Sequence, residues 1–227
     1  MSEKSLMRRG TRKLTVFQGE VDHAFRVERV ERDLKAPVAC KKGCAHCCHQ
    51  MVTLYVPEAV AIFESIKDDP FMVRKVSQWA DAQALLIIRD RITAAEWFRR
   101  DTRCMFLRDD STCGVYERRP FACRALMALF TADDCRPGAV RVVQRPDTRP
   151  ALLIYNAKML RLADEMGVPP GITPLPVAMQ WASILWKEGR DGLRRRLAGT
   201  PFYDPVASTI YWASIVEAEA KHPGAEP

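Results

Sequence analysis

The sequence predicts a mainly α fold with short β-hairpin elements. Two observations carry that prediction. Apolar residues recur at near-helical spacing over most of the chain, as in Phe17, Val21, Ala24, Phe25, Val27, Val30 and Leu34. Extended patterns are confined to short pieces bounded by turn residues, among them Met51 to Val56 and the stretch around Arg108-Asp109-Asp110-Ser111-Thr112. A third feature interrupts the helical background: Cys40-Lys41-Lys42-Gly43-Cys44-Ala45-His46-Cys47-Cys48 places four thiols in nine consecutive residues. Four more, at Cys104, Cys113, Cys123 and Cys135, follow after a long gap, which suggests that the hairpin elements surround a cysteine-ligated metal site.

Taken in order, residues 1–16 read as a flexible basic tail without periodicity, and residues 17–34 as an amphipathic helix that Pro37 stops. Gly43 gives the cysteine loop freedom to wrap around an ion. After the short extended piece, Pro57 suits the first turn of a helix carrying Val60, Ile62, Phe63 and Ile66, and Asp68-Asp69-Pro70 breaks it. A helical region over 71–100 would turn Trp79, Leu85, Ile88, Ile92, Ala95 and Trp97 or Phe98 inward. Cys104 and Cys113 bracket a polar turn, as ligands at the base of a hairpin would, and Pro120 is placed to begin a short helix with Cys123 one turn in. Residues 139–144 suggest a strand. Helices are expected over 152–166, 177–187 and 206–220, with the Pro-rich stretch 169–176 as a linker. The division that results is 1–16 tail, 17–148 cysteine-cluster metal-binding domain, and 149–227 C-terminal helical extension or subdomain.

A chain of 227 residues can bury a core without disulfide staples, which serve mainly small secreted proteins. Met1 to Lys13 is polar and basic, unlike a secretory signal, and no apolar run reaches the roughly 18 residues of a membrane span. A cytoplasmic protein with reduced thiols is expected, and there clustered cysteines point to metal or redox chemistry. The net charge of +7 and pI near 9.1 would suit a polyanion. The charges are interleaved, however: Asp22 with Arg26, Glu28 with Arg32 and Arg29 with Asp33 are spaced to pair on a solvated helix face. A nucleic-acid-binding module is therefore disfavoured.

One cysteine would say little, since buried cysteine is common. Spacings of two or three residues, by contrast, let successive sulfurs converge on one ion or cluster. Adjacent side chains diverge by about 100° on a helix, so Cys47 and Cys48 are not expected to share one ion symmetrically. Either one of them is structural, or the two serve neighbouring centres completed by the later cysteines. All eight, Cys40, Cys44, Cys47, Cys48, Cys104, Cys113, Cys123 and Cys135, are candidate metal ligands, for zinc or an iron–sulfur cluster. Structural zinc usually takes two separate CxxC pairs. The chain has one such pair, Cys44 with Cys47, which favours iron–sulfur. His46 and His49 read as exposed loop residues rather than ligands. The spacing of Cys40, Cys44 and Cys47 also matches the radical S-adenosylmethionine enzymes, but a charged helix precedes it and no strand–helix alternation follows.

With Cys104-Met105-Phe106-Leu107 and Cys113-Gly114-Val115-Tyr116-Glu117-Arg118-Arg119-Pro120-Phe121-Ala122-Cys123-Arg124 added to the first cluster, residues 40–135 resemble the YkgJ-like cysteine-cluster family. That family is described as a putative zinc- or iron-chelating domain of the CxxCxxCC type. Ala45 stands where the family often has Gly, and Ala125-Leu126 where Phe-Pro is common. The resemblance implies metal chelation and no settled reaction, so whether the chain is an enzyme stays open. A relative is the flagellin lysine N-methylase, which makes a metal-dependent protein-modifying enzyme with a protein substrate the catalytic alternative. Arg124 and Tyr116 would then be functional; otherwise both support the thiolate site structurally.

Overall fold

The computed structural model describes residues 2–31, 38–136 and 149–216. Its helices are α1 (Glu3–Glu31), α2 (Val56–Ile66), α3 (Pro70–Arg89), α4 (Ala94–Arg99), α5 (Phe121–Ala125), α6 (Arg149–Met166), α7 (Leu175–Arg196) and α8 (Pro205–Val216). Two three-residue strands, β1 (Thr53–Tyr55) and β2 (Ile172–Pro174), pair antiparallel. The class is the predicted one: mainly helical, with a small sheet.

Helix α2 is the centre of the molecule. Val56 through Phe63 and Ile66 are all buried, as expected of a helix apolar on every side. It packs against α1, α6 and α7, while α3 lies on α7 and α1 on α6. Pro57 occupies the first turn, where a missing N–H costs nothing. Asp69 caps α3 by accepting from Phe71 N at 3.0 Å and Met72 N at 3.1 Å. The core between these helices includes Trp181, Tyr155, Phe63, Leu14 and Met179, each almost wholly buried.

Residues 3–16 are not a loose tail. They are the opening turns of α1, with Met7 and Leu14 buried and Gly10 so close to α6 that a Cβ there would strike Met166. The inward positions run Met7, Thr11, Leu14, Gln18, Val21, a spacing of three and four that two polar residues disguise. The Pro-rich stretch is likewise no open linker. It holds β2, in register Thr53↔Pro174, Leu54↔Thr173 and Tyr55↔Ile172, and Thr173 is fully buried. In a two-stranded sheet both strands are edges, so Pro174 removes no ladder bond that the sheet requires.

The helical region expected over 71–100 is broken at 90–93, where Arg91 takes a positive φ and Thr93 caps α4. Val76, Ala80, Ala84 and Ile87 face inward on α3, leaving Leu85 half exposed. Helix α7 turns at Gly189, whose φ of 71° suits glycine, and Glu3 accepts from the Arg190 N–H of the second half at 3.1 Å. Pro37, the strand expected over 139–144 and the last residues of the 206–220 helix lie outside the described residues.

Candidate metal centre

The cysteines are carried by short, hydrogen-bonded turns. Lys41 O accepts from Cys44 N at 3.0 Å, a turn that places Gly43 at φ 84°, where a side chain would be strained. A 3-10 turn over His46–His49 presents Cys47 and Cys48. The second group docks directly on it: Cys104 N donates to Cys48 O at 2.8 Å. As predicted, Cys104 and Cys113 flank a hairpin-like turn, with Leu107 bridged antiparallel to Cys113 and Gly114 N donating to Phe106 O at 2.7 Å. Helix α5 begins after Pro120 and carries Cys123 in its first turn. Cys40 is tied to a different strand-like segment, its Sγ accepting from Ala128 N at 3.3 Å beside the Val38↔Leu129 bridge. Cys135 is buried in a 3-10 turn that packs against the His46–His49 turn.

The electrostatics show which sulfurs share a neighbourhood. The Cys47 thiol is pushed far up by its side-chain hydrogen bond with Cys48, then by burial and the Cys48 charge, with Arg119 opposing. Burial raises Cys104 to about 11, and the charges of Cys113 and Cys47 add to it. Burial also raises Cys123, followed by the charges of Cys104, Cys47 and Cys113. Cys47, Cys104, Cys113 and Cys123, from three separate segments, thus lie in one another's field, with Cys48 beside them. They are neighbours rather than ligands in contact: among the described residues no three His, Cys, Asp or Glu side chains are gathered as they would be around an ion. The thiols of Cys40, Cys44, Cys47, Cys48, Cys104, Cys113 and Cys123 form no disulfide.

One buried nitrogen fits a negatively charged centre at this place. Arg119 Nε is buried without a hydrogen-bond partner, its guanidinium lies 4.1 Å above the Tyr116 ring, and it acts on Cys47 as a cation. A thiolate centre is the acceptor such a donor lacks. His49 Nδ1 is buried without a hydrogen-bond partner and lies 2.6 Å from Asp101 Oδ1, so it faces that carboxylate and not the sulfurs. Arg124 has a different role. Its guanidinium donates to Asp22 Oδ2 at 2.6 Å, Arg119 O at 3.0 Å and Glu117 O at 2.8 Å, so it clamps the loop and not the sulfurs. Asp22 pairs with Arg124 and so faces the cysteine loop, while the side chain of Arg26, its expected partner, lies outside the described residues. Tyr116 is 55% exposed and serves as the platform for Arg119.

Sequence reasoning missed Glu58. This carboxylate is 1% exposed, in the middle of the core. Its Oε2 accepts from Tyr55 N at 2.9 Å, and its Oε1 accepts from Phe121 N at 2.7 Å and Tyr155 OH at 2.8 Å. Burial raises its pKa against the pull of these bonds and of Arg124. The signal was present: an acid three residues after Tyr55, among the apolar residues that open α2, is the acidic half of a capping box.

No curated protein and no solved structure matches the chain. Residues 39–136, which contain all eight cysteines, match the family model CxxCxxCC, described as a putative zinc- or iron-chelating domain, and this is the family whose motifs the cysteine spacing resembles.

Proposed function

We propose that the chain is a thiolate metal-binding protein. In this reading Cys47, Cys104, Cys113 and Cys123 hold one centre, and Cys40, Cys44, Cys48 and Cys135 contribute to a second beside it. One observation carries the reading: Cys47 from the first cluster and Cys104 and Cys113 from the hairpin all lie close enough to Cys123 in α5 for their charges to act on it, at a single partly buried place. Like-charged thiolates crowded in this way repel, and a bound cation would reverse the sign of the interaction. Cys47 and Cys48 meet through a side-chain hydrogen bond, so the two centres would adjoin at this pair.

The protein's own part is to fix the donors before metal arrives. The Cys104 N–H bond to Cys48 O sets the hairpin against the first cluster, α5 aims Cys123, and Arg119 offsets the charge of Cys47. Bound zinc would act as a structural crosslink of these segments, and a bound iron–sulfur cluster would add a redox couple; the compact run of thiols supports the second. Such thiolates require a reducing compartment, consistent with the cytoplasm. No helix among the described residues is long and apolar enough to cross a membrane.

Single serine substitutions test the partition. Replacing Cys47, Cys104, Cys113 or Cys123 should remove the same share of bound metal each time, while replacing Cys40, Cys44, Cys48 or Cys135 should remove a different share. Metal content unchanged in both Cys104→Ser and Cys123→Ser would refute the reading.

A further inference from the structure

We propose that Glu58 is a positioning residue for the metal centre, acting on Cys123 through the backbone of α5 and linking it to α6 through Tyr155. This inference rests on the reading that Cys123 is a ligand. A carboxylate 1% exposed is costly to bury and persists only where donors converge on it. Here three do, and they come from three elements: Tyr55 N at the end of β1, Phe121 N at the start of α5, and Tyr155 OH on α6. The Phe121 ring stacks on the Tyr155 ring with centroids 4.5 Å apart and an interplanar angle of 19°. Phe121 is therefore gripped at its amide by Glu58 and at its ring by Tyr155, the same tyrosine that Glu58 fixes. Helix α5 has five residues and no side-chain cap at its start, so little within it defines its direction. The Phe121 grip supplies that direction two residues before Cys123.

The choice of acid is also informative. All three partners donate, and a carboxylate offers only acceptors. A glutamine in its place would turn an N–H₂ group toward one of these buried donors and leave it unpaired. Of the three bonds, the one from Tyr55 N belongs to the capping box that starts α2. The Phe121 and Tyr155 bonds, both to Oε1, are the ones directed at the cysteine-bearing helix.

The test uses the full chain purified without oxygen, carrying whichever of zinc or iron it binds, and follows metal release into excess EDTA. The variants are Tyr155→Phe and Glu58→Gln, with Leu193→Ala as a control that empties a fully buried position of α7, a helix that supplies none of the three donors to the carboxylate. The expected result is release about tenfold faster in Tyr155→Phe and Glu58→Gln, the range of a lost supporting bond behind a ligand, with wild-type release in Leu193→Ala despite its lower melting temperature. Should Glu58→Gln fail to fold, Tyr155→Phe, which removes one oxygen, decides alone. Metal bound by the wild type but released at the wild-type rate by Tyr155→Phe would overturn the positioning role and leave the metal reading standing. Equally fast release from Leu193→Ala would reduce the effect to general destabilisation and also overturn it. A wild type without metal would remove the proposed function itself, and this inference with it.

Discussion

Replacing Arg124 with Gln measures how firmly α1 holds the cysteine loop. Three residues of α1 face that loop on one side: Thr15 accepts from Arg118 Nη1, Gln18 Nε2 donates to Arg119 O at 3.4 Å, and Asp22 accepts from Arg124. The Arg124 side chain is 8% exposed and makes three charge-assisted bonds, so a glutamine leaves Asp22 and at least one carbonyl without a donor. Bonds of this kind contribute about 1.5–3 kcal/mol each when buried, but they are not additive, and Asp22 is about a third exposed, which screens its share. A loss of about 3 kcal/mol follows, or a fall in Tm of roughly 6–12 °C for a chain of this size. Thermal unfolding of the full chain by circular dichroism reads it directly. In a double-mutant cycle with Asp22→Asn the coupling should be about 1–2 kcal/mol. An Arg124→Gln protein within about 0.5 kcal/mol of wild type, or losses that simply add, would refute the clamp.

Gly10→Ala should destabilise by about 1–3 kcal/mol in urea melts, because the added methyl meets Met166 and outweighs the gain in helix propensity; a stabilised variant would mean that α1 does not dock on α6 as described. Asp69→Ala should cost about 1 kcal/mol through loss of the α3 cap, measured the same way. Glu58 gives a pH dependence of defined sign. Burial raises its folded pKa above the unfolded value, so its contribution is complete below about pH 4 and is lost as pH rises through the folded value. Stability of the wild type relative to Glu58→Gln should therefore decline as pH is raised from 4, and a flat difference would contradict the assignment of a raised carboxyl.

Much of this fold could be read from the sequence, and the exceptions share a cause. Helices with a continuous apolar stripe, such as α2 and α6, and turns marked by Pro57, Pro70, Pro120 and Gly167, lie where the pattern places them. The start of α1 does not announce itself, since its buried face includes Gly10, placed there by close approach to Met166, Gln18, which donates to Arg119 O, and the polar Thr11. Residues 169–176 read as a linker because proline usually marks one, yet β1 supplies a partner strand more than a hundred residues away, which no local pattern encodes. At the site, the hairpin at Cys104 and Cys113 and the short helix at Cys123 were legible from turn residues. The Arg124–Asp22 and Glu58–Phe121 bonds were not, because each joins segments far apart in the chain.

A thiolate metal-binding protein must carry metal when it is purified. Purification without oxygen, followed by zinc, iron and acid-labile sulfide analysis alongside a thiol count, measures this directly. The predicted result is bound zinc or iron, with sulfide present if the centre is an iron–sulfur cluster, and thiols masked until the metal is removed. Neither metal present, all eight thiols reactive and the fold intact would contradict it.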